Sequence, residues 1–396
     1  MSMVLSASAL GRQVNGQVIM ECIVRSGPIS RAKVAKETGL SKQTVSELVY
    51  KLEACGWVRG VGYLRGGVGR TAMAYELNPD AGYVAMCDLG GTQLKLGIAN
   101  VAGQLLEESR VPLKDGGASV VAEIVASIDA LIAKLGIDSG KLFQVVVGVP
   151  GVVDQKQGRV HHAPNLPQLP CNTLQADLGK ALRVPVVLEN EVNLAAIGEA
   201  WRGCGQGVES LIHVALGTGI GMGVILDGKL WRGARGAAGE IGYMPVLEAT
   251  QDPEVRRHGA LESVASGQAL LRQFNAGNDH KADMPQIFEL AAAGNPHALQ
   301  LIDQLAFGCA KAIAASAAVL DPALCVLGGT LGARPEIQQR VSHWLGQLMD
   351  EPLPLKPSQL GKQAGLVGAL ALALQEVHKR HFSPQHDFSQ IAISPL

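Results

Sequence analysis

Three glycine turns, each at the end of an apolar strand, are the first features of this chain with chemistry to offer. They are Asp88-Leu89-Gly90-Gly91-Thr92, Gly217-Thr218-Gly219 and Gly328-Gly329-Thr330. Glycine lets a backbone approach a ligand closely, and successive N–H groups in such a turn can cradle a phosphate. Asp88 could orient a metal ion or water beside the first turn. One such turn is equally well a hairpin with a capping aspartate. Three of them at strand ends mark the place where open α/β sheets bind ligands. A second set lies near the N-terminus, where Ser41, Lys42, Gln43, Thr44, Ser46 and Tyr50 offer hydrogen-bonding side chains. Lengths and donors of this kind can reach base edges or phosphates.

The elements that position the second set follow from local signals. Asn15–Arg25 has helical periodicity and ends at Gly27-Pro28. Ser30 caps a second short helix running through Lys36, and Gly39 stops it. Ser41 caps a third helix to about Cys55, with Val45, Leu48, Val49 and Leu52 on its apolar stripe. Two short helices joined by a glycine turn form a helix-turn-helix pattern, whose second helix enters the major groove of DNA. Strands at 57–60 and 70–77, with a glycine-rich turn between, read as a wing. Arg59, Arg65 and Arg70 on that wing, and Arg31 at the start of the second helix, are candidate phosphate or minor-groove contacts. A three-helix structural module with a solvated polar face is the alternative.

Bulk properties agree with this division. The 396 residues exceed one ordinary domain, and 47% hydrophobic against 17% charged residues is a globular composition. Residues 1–80 hold ten Lys/Arg against six Asp/Glu, while the other 316 hold 24 against 29. A basic head on a mildly acidic body suits a nucleic-acid partner. No apolar run of membrane-spanning length appears, and the opening residues lack a basic segment before their apolar stretch, so neither a membrane span nor a signal peptide is expected. Seven scattered cysteines without CxxC spacing read as reduced thiols in a cytoplasmic protein.

The body resembles the ROK family of repressors and sugar kinases, in the actin/hexokinase-like ATPase superfamily. The resemblance rests on DLGGT at 88–92, LGTGIGMG at 216–223, GARGAAGEIGY at 233–243, LDPALCVLGG at 320–329 and LGKQAGLVGALALAL at 360–374. It implies an α/β protein with an N-terminal winged helix-turn-helix (1–80) and a two-lobed actin/hexokinase-like (ribonuclease H-like) fold. The lobes would be 81–190 and 191–380, followed by a tail at 381–396. The glycine turns (Asp88, Gly90, Gly91, Thr92; Gly217, Thr218, Gly219; Gly328, Gly329) would be the nucleotide loops. Asn165, Asn190, Glu191, Glu240, Tyr243 and Glu262 would line the sugar site.

Two departures from the family pattern matter. The kinases carry aspartate, the base that accepts the sugar hydroxyl's proton, where this chain has Glu191. The extra methylene moves the carboxylate by roughly 1 Å, which can cost on the order of a hundredfold in rate. The family's zinc ligands correspond to Tyr243, Pro253, Val255 and Ala260, none of them a usual zinc ligand, so no metal is expected. Gln93 replaces the usual lysine of the first loop, which weakens the case for ATP. The resemblance therefore implies a regulator without a cofactor, its partners a double-stranded DNA operator and a sugar or sugar phosphate, assembled as a homodimer or homotetramer. An active sugar kinase with a DNA-binding head, and a non-enzymatic interaction scaffold, are the alternatives.

Overall fold

The computed structural model describes residues 7–65, 71–113, 119–161, 169–245, 255, 259–277 and 281–381. The head comprises α1 (Ala7–Ser26), β1 (Ile29–Ser30), α2 (Arg31–Thr38), α3 (Lys42–Ala54), β2 (Val58–Arg65) and β3 (Thr71–Leu77). Its core joins Ile19, Met20 and Ile23 of α1 to Val34, Val45 and Val49. Local chemistry fixes the ends of α2 and α3. Ser30 accepts from the Lys33 amide, Gly39 adopts the left-handed conformation at φ 71°, and Ser41 accepts from the Thr44 amide. These satisfy helix-end groups that would otherwise lack partners. β2 and β3 form the hairpin, with a register shift between Gly60 and Tyr63. The first strand of the hairpin runs on to Arg65, past the expected end at 60, because the shift absorbs the glycine and lets pairing continue. Ile29 and Ser30 add a third strand against Tyr75 and Ala74, which the sequence did not signal.

Two five-stranded sheets make the body. The first contains β4 (Tyr83–Leu89), β5 (Gln93–Asn100), β6 (Leu105–Pro112), β7 (Leu142–Val149) and β10 (Val186–Asn190), ordered β10-β7-β4-β5-β6. The second contains β11 (Leu211–Leu216), β12 (Ile220–Leu226), β13 (Lys229–Leu230), β14 (Leu324–Gly328) and β15 (Leu355–Pro357), ordered β13-β12-β11-β14-β15. Both sheets follow one plan. The opening strand begins an up-and-down run of three, and the last two strands add on its other side. A small hairpin, β8 (Val152–Asp154) with β9 (Arg159–His161), stands apart. The longer body helices are α4 (Val120–Leu135), α5 (Leu174–Leu182), α6 (Glu191–Arg202), α7 (Gly267–Phe274), α8 (Met284–Ala292), α9 (Pro296–Leu320), α10 (Pro335–Leu348) and α11 (Ala364–His381), and a single helical turn spans Gly329–Gly332.

The chain forms two compact units. The first is 1–147 with 165–188 and 369–396, and the second is 148–164 with 189–368. The expected single boundary at 190 therefore lies close to one crossing, but the units are not consecutive stretches. α11 returns to the first unit because its Leu370, Leu372, Leu374 and Val377 are buried there, and the expected tail beyond residue 381 lies outside the described residues. α9 is long and apolar enough to cross a membrane. Its Leu301, Leu305, Cys309, Ala312 and Ile313 instead fill the core of the second unit.

Candidate functional site

In the head, α3 buries Val45, Leu48 and Val49 and leaves Lys42, Gln43 and Tyr50 exposed. Thr44 and Ser46 are half-buried. Ser41 is engaged in the helix cap and lies 2.9 Å from the Thr44 hydroxyl. Two of the expected arginine contacts are already engaged. Arg31 stacks on the Tyr75 ring at 4.7 Å and reaches Glu53 at 3.6 Å. Arg59 grips one oxygen of Glu76 through two nitrogens, at 2.9 and 2.7 Å. Arg65 ends β2, and Arg70 lies outside the described residues. Tyr63, which was not among the expected contacts, is 68% exposed on the same strand as Arg59.

The first glycine turn is tied off. β4 and β5 pair so that Asp88 stands opposite Lys95, and the Lys95 ammonium meets the Asp88 carboxylate at 2.7 Å. Both side chains are largely buried. Asp88 is thus held by a cation of the chain itself, which competes with the expected role of orienting a metal or water. Gly90 donates its amide to the Gln93 carbonyl at 3.0 Å, while Gly91 and Thr92 are exposed.

The second and third turns lie together in the second unit. The Gly217 carbonyl accepts from the Gly267 amide at 2.8 Å and the Thr218 carbonyl from the Gln268 amide at 3.1 Å, which anchors the turn on α7. A methyl group added at Gly217 would meet the Thr330 hydroxyl at 3.2 Å, and Gly329 packs on the backbone of Leu216. Gly328 rests on the imidazole of His213.

Around the start of β12 the expected sugar-side residues assemble. Glu262 leans on the second glycine turn, where a methyl group at Gly219 would stand 3.1 Å from its carboxylate. The Ile220 amide approaches the same carboxylate at 3.5 Å. The Glu262 amide donates to Gly242, which connects it to the 3-10 turn Ile241–Tyr243 that follows Glu240. Tyr243 is half-exposed, and its hydroxyl is pushed up in pKa by burial and then by the charges of Glu240 and Glu262. The Tyr243 amide donates to the Glu240 carbonyl at 3.2 Å, and a methyl group at Gly242 would stand 2.9 Å from the Glu262 carboxylate, so both acids border the turn that carries the phenol. Asn190 caps α6, accepting from the Val192 and Asn193 amides at 2.8 and 3.0 Å and donating to the Gly151 carbonyl at 3.0 Å. Glu191 follows it in the first turn, with its carboxylate 3.4 Å from the Asn190 amide nitrogen. Val192 packs on Gly221, bringing this helix end to β12. Asn165 lies outside the described residues.

A supporting layer was not legible in sequence. Glu189, 1% exposed, accepts from Arg232 Nε at 2.6 Å, from Asn193 Nδ2 at 2.9 Å and from the Asn190 amide at 3.0 Å. It orients the Asn190–Glu191 turn from beneath, and its main partner is 43 residues away. As for zinc, Val255 and Ala260 carry no donor atom, and Pro253 lies outside the described residues. These residues do not fit the metal.

The family model described as ROK family matches residues 84–376. A glucokinase of Halalkalibacterium halodurans is 28% identical over 75% of this chain and 96% of its own length. A xylose repressor of Caldicellulosiruptor bescii is 26% identical over 92% of this chain and 96% of its own length, so its match extends into the head. Among solved structures, a ROK hexokinase from Thermus thermophilus has a TM-score of 0.65 at 31% identity, covering 74% of this chain and 99% of that one. A ROK family transcriptional regulator, a homolog of the E. coli MLC protein, has a TM-score of 0.74 at 23% identity and covers 96% of this chain and 99% of that one. The body has the mixed α/β, hexokinase-like fold of these proteins, and the chain belongs to the ROK family.

Proposed function

We propose that this chain is a sugar-responsive DNA-binding transcriptional regulator, a repressor of carbohydrate-metabolism genes. The observation that carries the reading is the coexistence of two features in one chain. α3 presents Lys42, Gln43 and Tyr50 to solvent, and a cluster of hydroxyl-binding groups gathers at the start of β12. The near full-length likeness to a xylose repressor supports it. The N-terminal residues of α3 read base edges, while wing residues reach phosphates. In a homodimer or homotetramer, two heads read the halves of a pseudo-palindrome.

Glu191, Glu240 and Glu262 suit an unphosphorylated sugar. Each carboxylate accepts hydroxyl donors, and together they repel a phosphate. Sugar binding shifts the population between two states of the body, and operator affinity changes by the sugar's differential affinity for those states. Release of DNA on binding sugar is the expected direction. Kinase activity is weak or absent, because Glu191 replaces the aspartate base and Lys95 neutralises Asp88.

A thermal-shift screen with D-xylose, D-glucose and their phosphates tests the sugar site. A native-state ligand raises the unfolding temperature in a concentration-dependent way. Glu240→Gln or Glu262→Gln should weaken binding about tenfold or more, the scale of one charge-assisted hydrogen bond. An active kinase is the second reading, favoured by the glucokinase relative and the retained glycine turns. Coupled assays with ATP decide it: turnover near about 10 per second would overturn the regulator-only account.

A further inference from the structure

Tethers between domains are ordinarily loose, polar and poor in contacts. Here the segment between head and first sheet is fastened along its length. Asn78 donates its side-chain amide to the Gly56 carbonyl at 2.8 Å and its backbone amide to the Trp57 carbonyl at 2.9 Å. The Asp80 carbonyl accepts from the Lys141 ammonium at 2.9 Å, and the Gly82 carbonyl accepts from the Val101 amide at 3.0 Å.

Three rings meet beside this segment. Trp57, at the end of the three-helix part of the head, lies 5.6 Å from Phe143 of β7 and 5.1 Å from His381 of α11. Phe143 and His381 are 4.9 Å apart. Each ring thus touches the other two at separations usual for favourable aromatic contacts. Arg380 donates to the Phe143 carbonyl at 3.2 Å and to the Gln144 side chain at 3.0 Å, fixing the end of α11 beside β7. Phe143 lies against buried Gly82, and a methyl group there would fall inside the ring.

We propose that Trp57, Phe143 and His381 are positioning residues for operator recognition. They set the heading of α3 on the first unit, so that two heads of a symmetric oligomer present their helices at one fixed separation. The inference rests on the DNA-regulator reading. Half-sites on DNA face the same side only at whole helical turns, about 34 Å apart. A stiff joint lets the second head engage at high effective concentration once the first is bound, and a loosened joint forfeits that gain. None of the three side chains need touch DNA.

The test uses the full chain and DNA duplexes enriched from a random pool by the wild-type protein. The same duplexes are also made with five base pairs inserted between the half-sites. The wild type should lose about a hundredfold in affinity on insertion, because the second half-site turns to the opposite face. His381→Ala and Phe143→Leu should bind the original spacing about tenfold more weakly. Their insertion penalty should shrink to a few-fold, with the sugar-induced thermal shift unchanged. A role confined to folding would lower all binding and leave the spacing ratio intact. Gly82→Ala displaces the Phe143 ring without removing it and should act in the same direction. His381→Ala, at the surface, keeps the test decisive if another variant fails to fold. Variants that keep the wild-type spacing ratio overturn the proposal, as does a wild type that prefers a sequence but tolerates the insertion. A wild type with no sequence preference overturns the DNA-regulator reading itself, and the joint with it.

Discussion

In the first sheet the turn after the opening strand is closed on itself, with Lys95 paired to Asp88 and the Gly90 amide bonded to the Gln93 carbonyl. In the second sheet the matching turn also closes a bond within itself, from the Gly217 amide to the Gly219 carbonyl at 2.9 Å, but it has no cation of its own and is held in addition from outside, by α7 and the Glu262 carboxylate. Strand order is the same in both. The difference teaches that a repeated strand plan supplies the turns, while later segments of the chain decide their use. In the second unit, the region after β13 folds back to bring Glu240, Tyr243 and Glu262 to the turn. The first turn has a neighbouring strand and its own cation.

Replacing glycine by alanine in each region should expose the contrast most strongly. Gly329 sits at φ 83°, and a methyl group there would collide with the backbone of Leu216. Gly329→Ala combines a left-handed backbone with that collision and should cost about 3 kcal/mol or more. At Gly90 the nearest atom to an added methyl is the Gln93 carbonyl oxygen, at 3.1 Å. Gly90→Ala should cost about 1 kcal/mol, since a small shift relieves it. Urea unfolding of the two variants checks this, and equal costs would break the comparison.

Acid should act on both units by the same physics. Burial holds His213 of the second unit down at about 4, against an opposing pull from Glu199. Burial, and then the charge of His381, hold His378 of the first unit at about 4. Both imidazoles are neutral in the folded protein and titrate near 6.5 when unfolded. The unfolded chain therefore binds more protons between about pH 6.5 and 4, and stability falls as pH drops through that window. Each group contributes up to about 3 kcal/mol of loss. Unfolding midpoints measured from pH 7.5 to 4.5 should decline, and His213→Gln and His378→Gln should each flatten the slope. A flat wild-type profile would show that the two imidazoles titrate alike folded and unfolded.

How much of this was readable beforehand depended on sequence distance. The caps of α2 and α3 were legible because Ser30, Gly39 and Ser41 act on residues two to four positions away. The glycine turns were legible for the same reason. Pairings set by register or by distant segments were not. Glu76 opposite Arg59, Glu53 beside Arg31 and Arg232 beneath Glu189 are joined only by folding. The count of arginines on the wing therefore overstated the charge left for a phosphate. The shared plan of the two sheets was hidden because the intervening helices differ in number and length.

The smallest predicted effect concerns the Asp88–Lys95 pair, the feature that distinguishes the first turn. Their side chains are 16% and 17% exposed, so the pair is neither a solvated surface bridge nor a fully dry one. Surface pairs contribute about 0–1 kcal/mol, and orphaning one partner of a buried pair costs about 3–5 kcal/mol. An intermediate cost of about 1–2 kcal/mol is expected for Lys95→Met, which leaves the Asp88 carboxylate without its cation. Asp88→Asn should cost less, because the amide still accepts from Lys95 and the ammonium can reach water along its flexible stem. The double variant should be more stable than the sum of the single costs implies, since neither charge is then left alone. A double-mutant cycle by urea unfolding measures this coupling. Strict additivity would mean the pair adds nothing, and the first turn would then owe its closed form to the β4–β5 register alone.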